Sequence, residues 1–187
     1  LNEHKSNHAL RAWIPACSTG EEAYSLAILF KETMEQLKPT RNLSLQIFAT
    51  DLDQQAIAKA RTGIFPANIA ADISAKRLER FFVKVEHGYQ VAKSIREMII
   101  FAPQNIIMDP PFTKLALLSC RNLLIYLTPE LQKKLLPLFH YSLNPGGFLF
   151  LGSAETIGNF TDLFKPLAGK TRLYKRLAPT QTPELIE

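Results

Sequence analysis

The chain is poor in the residues that most often announce a chemistry. Its two cysteines, Cys17 and Cys120, make neither a disulfide framework nor a metal-ligating cluster. The four histidines, His4, His8, His87 and His140, are scattered without metal spacing, so no metal is expected, and no Ser/His/Asp arrangement is readable. Glycine is sparse, eight in all, and no G-x-G-x-x-G turn occurs, which argues against a dinucleotide oxidoreductase. No apolar run is long enough to span a bilayer, and nothing at the start reads as a secretory leader, so no membrane insertion and a reducing cytoplasm are expected. No run of like charge stands out either: the net charge of +5 comes from 22 basic residues interleaved with 17 acidic ones. That pattern reads as a solvated mixed surface, with no nucleic acid as partner.

What is present is ordinary globular composition, 47% apolar and 21% charged over 187 residues. It suits one domain with a full core and at most a small second lobe. We expect that domain to occupy residues 1–177, with the Pro/Thr-rich stretch Ala178 to Glu187 as a linker or tail cut from something longer.

Two stretches are the most informative, Ile14 to Ser25 (IPACSTGEEAYS) and Ile47 to Asp53 (IFATDLD). Each is an apolar strand ending in a small polar turn with a carboxylate. In a wound α/β sheet the first two strands end side by side, and ligands bind at those carboxyl ends. A phosphate would want bare N–H groups and no anion there. This turn offers Glu21 and Glu22 after Gly20, with Asp51 on the second strand, so the favoured guest carries positive charge and a ribose. S-adenosylmethionine has an ammonium, a sulfonium and a ribose diol. Glu21 is assigned to the ammonium and Asp51 to the diol, since a carboxylate accepts two hydrogen bonds from adjacent hydroxyls. The competing reading of STGEE is helix capping by Ser18 or Thr19, with glutamates favoured by the helix dipole.

Around these turns the pattern reads as strand–helix alternation. Leu10 to Ala16 is a strand, Glu21 to Leu37 a helix closed by Pro39, Leu43 to Thr50 a strand, and Asp53 to Arg61 a short helix ended by Gly63. Residues 64–104 read as an insertion with a small antiparallel element, with a short helix from Ser74 to Arg80 and strand-like alternation from Phe81 to Phe101 about His87-Gly88. Leu115 to Ser119 suits a buried parallel strand. Thr128 reads as the N-cap of a helix through Tyr141, and Leu143 to Gly152 as a helix stop, tight turn and buried strand. Leu163 to Leu167 and Thr171 to Leu177 flank Gly169 as a closing hairpin. Alternation followed by a terminal hairpin predicts an α/β sheet with an antiparallel strand.

Two further segments carry polar groups. In Ser119 to Leu127 (SCRNLLIYL), Arg121 and Asn122 sit between apolar runs, either in the ligand crevice or as an ion-paired arginine and a turn cap. Tyr126 follows four residues after Asn122, as a core or a site residue. Asp109 to Phe112 (DPPF) matches the [DN]PP[YF] motif of enzymes that methylate flipped bases, but it precedes the strand rather than following it, and reads as a stiff turn.

On ACSTGEEAYS, FATDLD, RFFVK, QNII, SCRNLLIYL, PGGFLFLGSAE and RLYKR, the chain resembles the CheR-type chemotaxis methyltransferases over nearly all of residues 10–177. FAPQNIIMDPPFTKL is similar to the methyltransferase module of hybrid regulators that fuse methylesterase-like, methyltransferase-like and sensor domains. The resemblance implies the class I, Rossmann-like S-adenosylmethionine-dependent methyltransferase fold with a small inserted β-subdomain and a terminal antiparallel hairpin. It implies methyl transfer from S-adenosyl-L-methionine, leaving S-adenosyl-L-homocysteine, to glutamate carboxylates of a chemoreceptor-like protein, with signalling domains covalently linked in the full-length protein. Cofactor contacts carry over to Ser18, Thr19, Gly20 and Glu21, to Asp51 and Leu52, to Asn105 and Ile106, and to Arg121 and Asn122. Arg121 and Tyr126 match the positions near the methyl acceptor. The family's N-terminal helical domain has no counterpart here, and Ala116 stands where an aspartate is usual, so a buried hydrogen bond is expected to be missing. The alternative from another class is a sensor or docking module that binds the cofactor and methylates nothing.

Overall fold

The computed structural model describes residues 8–39, 43–169 and 171–178. The fold divides at Asp109/Pro110 into two compact units. The first contains β1 (His8–Pro15), α1 (Glu21–Leu37), β2 (Leu43–Asp51), α2 (Gln54–Thr62), β3 (Ile64–Pro66), a 3-10 turn over Ala67–Ala71, α3 (Ala75–Phe81), β4 (Phe82–Val85), β5 (Gly88–Val91), α4 (Lys93–Arg96) and β6 (Ile99–Pro103). Parallel strands run in the order β6-β2-β1, with Ile14 opposite Ala49 and Ala49 opposite Phe101.

Why these segments form these elements is local. Asp53 caps α2 by accepting from the N–H groups of Gln55 and Ala56, and Gly63 closes it at φ 62. Ser74 caps α3 through Arg77 N–H. The core of the unit is built from Ala12, Trp13 and Ile14 of β1, Ile47 and Ala49 of β2, and Ile57 and Ala60 of α2, all buried. Helix α1 presents Ala23, Tyr24, Ala27 and Ile28 to that core. Two polar groups in it are satisfied: the Trp13 indole donates to Thr50 Oγ1 at 2.9 Å, and the Tyr24 hydroxyl donates to the Ala60 carbonyl at 2.8 Å.

The strand-like alternation read from Phe81 to Phe101 divides in two. β3, β5 and β4 form a separate three-stranded antiparallel sheet. Ile99–Pro103 leaves it and pairs parallel with β2. The antiparallel element therefore ends at Val91, short of the 64–104 stretch, because alternation alone does not say which neighbour a strand takes. α1 and α3 are joined by the ion pairs Glu32–Arg77 and Glu35–Arg80.

The second unit contains β7 (Leu115–Cys120), a 3-10 turn over Leu124–Tyr126, α5 (Pro129–Ser142), β8 (Leu143–Leu151), β9 (Phe164–Pro166) and β10 (Leu173–Arg176). β7 and β8 are parallel, and β10 runs antiparallel to both β8 and β9, which is the expected closing hairpin. The Asn144-Pro145-Gly146-Gly147 turn is absorbed into β8 as a bulge: pairing passes from Leu115–Leu143 to Leu117–Phe148. Leu115, Leu118, Leu135, Phe139, Leu149, Leu151 and Phe164 form its buried core. Among the described residues no helix is long and apolar enough to cross a membrane, and no group of three His, Cys, Asp or Glu is placed to hold a metal.

Candidate active site

Strands β1, β2 and β6 end together, and their loops are tied to one another. The β1–α1 turn is irregular for a physical reason: Ala16 (φ 55) and Ser18 (φ 49) are left-handed, as is Gly20 (φ 92). Non-glycine residues pay for that conformation, and they keep it only where surrounding bonds hold them. Here Cys17 N–H donates to the Thr50 carbonyl at 2.9 Å, Gly20 N–H to the Cys17 carbonyl at 3.0 Å, and Ser18 N–H to Asp51 Oδ2 at 2.8 Å. A side chain at Gly20 would also be crowded: a Cβ would lie 3.0 Å from the Phe101 ring and 3.1 Å from Ala60 Cβ, so those neighbours would have to give by a few tenths of an ångström.

The two carboxylates are gathered at this one turn. Ser18 N–H binds Asp51, while the next hydroxyl, Thr19 Oγ1, donates to Glu21 with its two carboxylate oxygens at 2.6 and 2.8 Å. The other Asp51 oxygen accepts Asp53 N–H at 3.0 Å, so each of its oxygens is oriented by one backbone donor and keeps a further acceptor position. Among the described residues neither carboxylate forms an ion pair. Leu52, next to Asp51, is 70% exposed. The helix-capping reading of Ser18 and Thr19 is corrected: the N-cap of α1 is Gly20, with no side-chain cap bond. Glu22 is half-buried one position on.

The third loop is fastened to the second by Gln104 N–H, which donates to the Asp51 carbonyl at 2.9 Å. Asn105 and Ile106 follow, both half-buried. Asn105 Oδ1 accepts Ile107 and Met108 N–H at 3.0 and 3.2 Å, and Asp109 Oδ2 accepts Asn105 N–H at 2.8 Å. Asp109 of DPPF thus closes the Asn105 turn, as the stiff-turn reading expects.

The remaining candidates lie in the second unit, just past β7. The Arg121 guanidinium stands 5.1 Å over the Phe150 ring. Asn122 is left-handed at φ 58, and its N–H donates to Glu155 Oε2 at 3.0 Å. Tyr126, at the end of the 3-10 turn, is 78% exposed, which removes the core reading of that residue.

Cys17 is buried beneath the first turn. Burial, and after it the Asp51 carboxylate, push its thiol up to about 12, so it stays protonated and is a packing residue rather than a nucleophile. A cavity of about 430 Å³ lies in the first unit between α1 and the small sheet, touched by Glu21, Tyr24, Ile28, Phe65, Arg77 and Phe82. Asp51 and Asn105 do not line it, so it is not the strand-end berth.

The residue that sequence reasoning missed is Glu155, 3% exposed, whose carboxylate holds the segment after β7. Its one visible signal is a lone acid within the apolar stretch FLFLGSAETIG.

A family model described as CheR methyltransferase, SAM binding domain, matches residues 1–173. An uncharacterized 104.1 kDa protein of Rhodobacter capsulatus is 42% identical over 174 residues, 93% of this chain and 18% of that protein. A chemotaxis protein methyltransferase of Vibrio parahaemolyticus is 35% identical over 160 residues, 83% of this chain. The chain spans 58% of that relative's length. An RNA methyltransferase of Salinibacter ruber, solved with S-adenosyl-L-homocysteine, aligns at TM-score 0.49 and 14% identity over 96% of this chain and 86% of that one.

Proposed function

We propose, because the chain belongs to the family of CheR methyltransferase SAM-binding domains, that it is the catalytic module of a protein-glutamate O-methyltransferase. Its fold is the α/β, Rossmann-like fold of class I methyltransferases, and its cofactor is S-adenosyl-L-methionine. The acceptor in this reading is a glutamate side chain of a chemoreceptor-like protein in the cytoplasm. The 104.1 kDa relative, of which the match spans 18%, is a protein in which a stretch like this chain is one part of a much longer whole.

One observation carries the reading: a strained turn holds two carboxylates, Glu21 and Asp51, through adjacent residues Thr19 and Ser18. That pair of anionic acceptors suits a cationic nucleoside and repels a phosphate. Asp51, with both oxygens pre-oriented, would accept the ribose diol; Glu21, held by Thr19, would face the ammonium. The exposed Leu52 side chain would cover the base, and Asn105 and Ile106 would border it.

When bound, the cofactor supplies a methyl group on a positively charged sulfur. A free glutamate side chain titrates near about 4.3, so the acceptor is already ionised at neutral pH and this chain has no proton to remove. That agrees with the absence of a readable catalytic base. The chain's own contribution is to bind, align and exclude water, and alignment alone is worth up to about 7–11 kcal/mol in favourable cases. Arg121 would orient the acceptor carboxylate with its planar fork, and Tyr126 would hold the acceptor by hydrogen bond and packing.

The test is transfer of a tritiated methyl group from the cofactor to receptor-derived glutamate peptides, by this chain and by a longer one. Base-labile label on glutamate is the expected result. Tight binding of S-adenosylhomocysteine with no label on any peptide would instead favour a non-catalytic sensor module.

A further inference from the structure

We propose that Glu155 is a positioning residue for the segment Arg121 to Tyr126: its buried carboxylate fixes the backbone from which the two acceptor-side groups project. The inference rests on the assignment of Arg121 and Tyr126 to the methyl acceptor.

A lone carboxylate buried to 3% exposure is costly unless its lone pairs are all met. At Glu155 they are. Oε2 accepts Asn122 N–H at 3.0 Å and Gly152 N–H at 2.7 Å, while Oε1 accepts Leu123 N–H at 2.9 Å and Leu124 N–H at 2.8 Å. Three consecutive N–H groups converge on one side chain because Asn122 is left-handed at φ 58, which turns the backbone into an anion-binding concavity. The chain fills that concavity with its own anion.

Two further features show that the site is built around this carboxylate. Gly152 admits no side chain, since a Cβ there would stand 2.6 Å from Glu155 Oε2. From the other side, Gln132 Nε2 of α5 donates to the carbonyls of Leu124 and Leu127 at 2.9 and 3.0 Å. The N–H groups at the front of the segment and the carbonyls at its end are thus both clamped. With four donors on its four acceptor positions, Glu155 has no capacity left for a substrate or cofactor. It acts through the segment.

Glu155→Gln keeps the shape but turns an amide's donors toward N–H donors. Hydrogen exchange, circular dichroism and methyl transfer per folded molecule are read together. The expected result is amide exchange at Asn122, Leu123 and Leu124 faster by about tenfold or more, with β7 and β8 still protected. kcat is expected to fall by about tenfold or more, and Glu155→Asp to recover part of it. Unchanged exchange overturns the proposal. So does a kcat within about twofold of the parent despite faster exchange, which is the signature of a structural plug. Should the glutamine variant not fold, the parent and Glu155→Asp decide: unprotected amides at 122–124 in the parent overturn the proposal, and slow ones that quicken in Glu155→Asp together with a lower kcat support it. A parent that labels no glutamate defeats the transferase reading alone, while exchange still decides what Glu155 holds.

Discussion

The backbone N–H of Ser18 donates to Asp51 Oδ2 at 2.8 Å, across 33 residues of chain. This bond joins the turn after the first strand to the end of the second, and it fixes the carboxylate before any ligand arrives. Ser18 itself is left-handed, so the bond also holds a conformation the residue would not otherwise keep. Preorganisation of this kind spares a binding site the ordering cost on association.

Removing that carboxylate is expected to be severe for binding. Hydrogen bonds to a charged group are worth about 1.5–3 kcal/mol each, so losing two to a ribose predicts affinity for S-adenosylhomocysteine weaker by about a hundredfold or more in Asp51→Ala. Calorimetry on the purified chain measures it. Affinity equal to the parent's contradicts the ribose assignment.

Gly20→Ala is expected to destabilise the protein by about 2–4 kcal/mol. The left-handed backbone contributes about 1–2 kcal/mol and the clash with Phe101 and Ala60 the rest. Urea unfolding with an unchanged m-value tests this, and a loss under about 0.5 kcal/mol counts against the turn geometry described here.

Tyr126→Phe separates binding from transfer. The side chain is 78% exposed, so its hydroxyl is not needed for folding. Melting temperature and cofactor affinity are expected to match the parent, while kcat drops by about tenfold or more. An unchanged kcat removes Tyr126 from the acceptor side.

Stability is expected to fall at alkaline pH with a contribution from Cys17. The folded thiol is pushed up to about 12 by burial, against 9.0 for the free group, and the Tyr24 hydroxyl shifts the same way, from 10.0 to about 12. Between those values the unfolded chain has released the proton and the folded one retains it. Fewer protons bound in the unfolded state means stability drops as pH rises, by up to about 1.4 kcal/mol per pH unit for one group. Under reducing conditions, denaturant midpoints of Cys17→Ala should decline less steeply than the parent's above about pH 9. Parallel declines would show that the thiol does not contribute.

Much of this was legible in the residues. Helical spacing with Asp53 and Gly63 at its ends marked α2, and Thr128 with Pro129 marked the start of α5. Two apolar strands ending in carboxylates located the strand-end turns. The limits were equally physical. A period of two shows that Ile99–Pro103 is a strand but not that its partner is β2 rather than the small sheet. Ser18 and Thr19 look like caps in any sequence window, because a cap and a loop donor need the same residue types.

The sequence alone determined the order of the elements, the absence of a phosphate-type glycine turn and the identity of the carboxylates, since these depend on side-chain type and short-range spacing. Only the tertiary structure decided how those groups are held. Ser18 N–H meets Asp51, and Glu155 gathers three N–H groups some thirty residues upstream. Such bonds join backbone groups, which every residue carries, to distant side chains, so no local pattern of residue types encodes them; they exist only once strands are paired and left-handed residues set the turns.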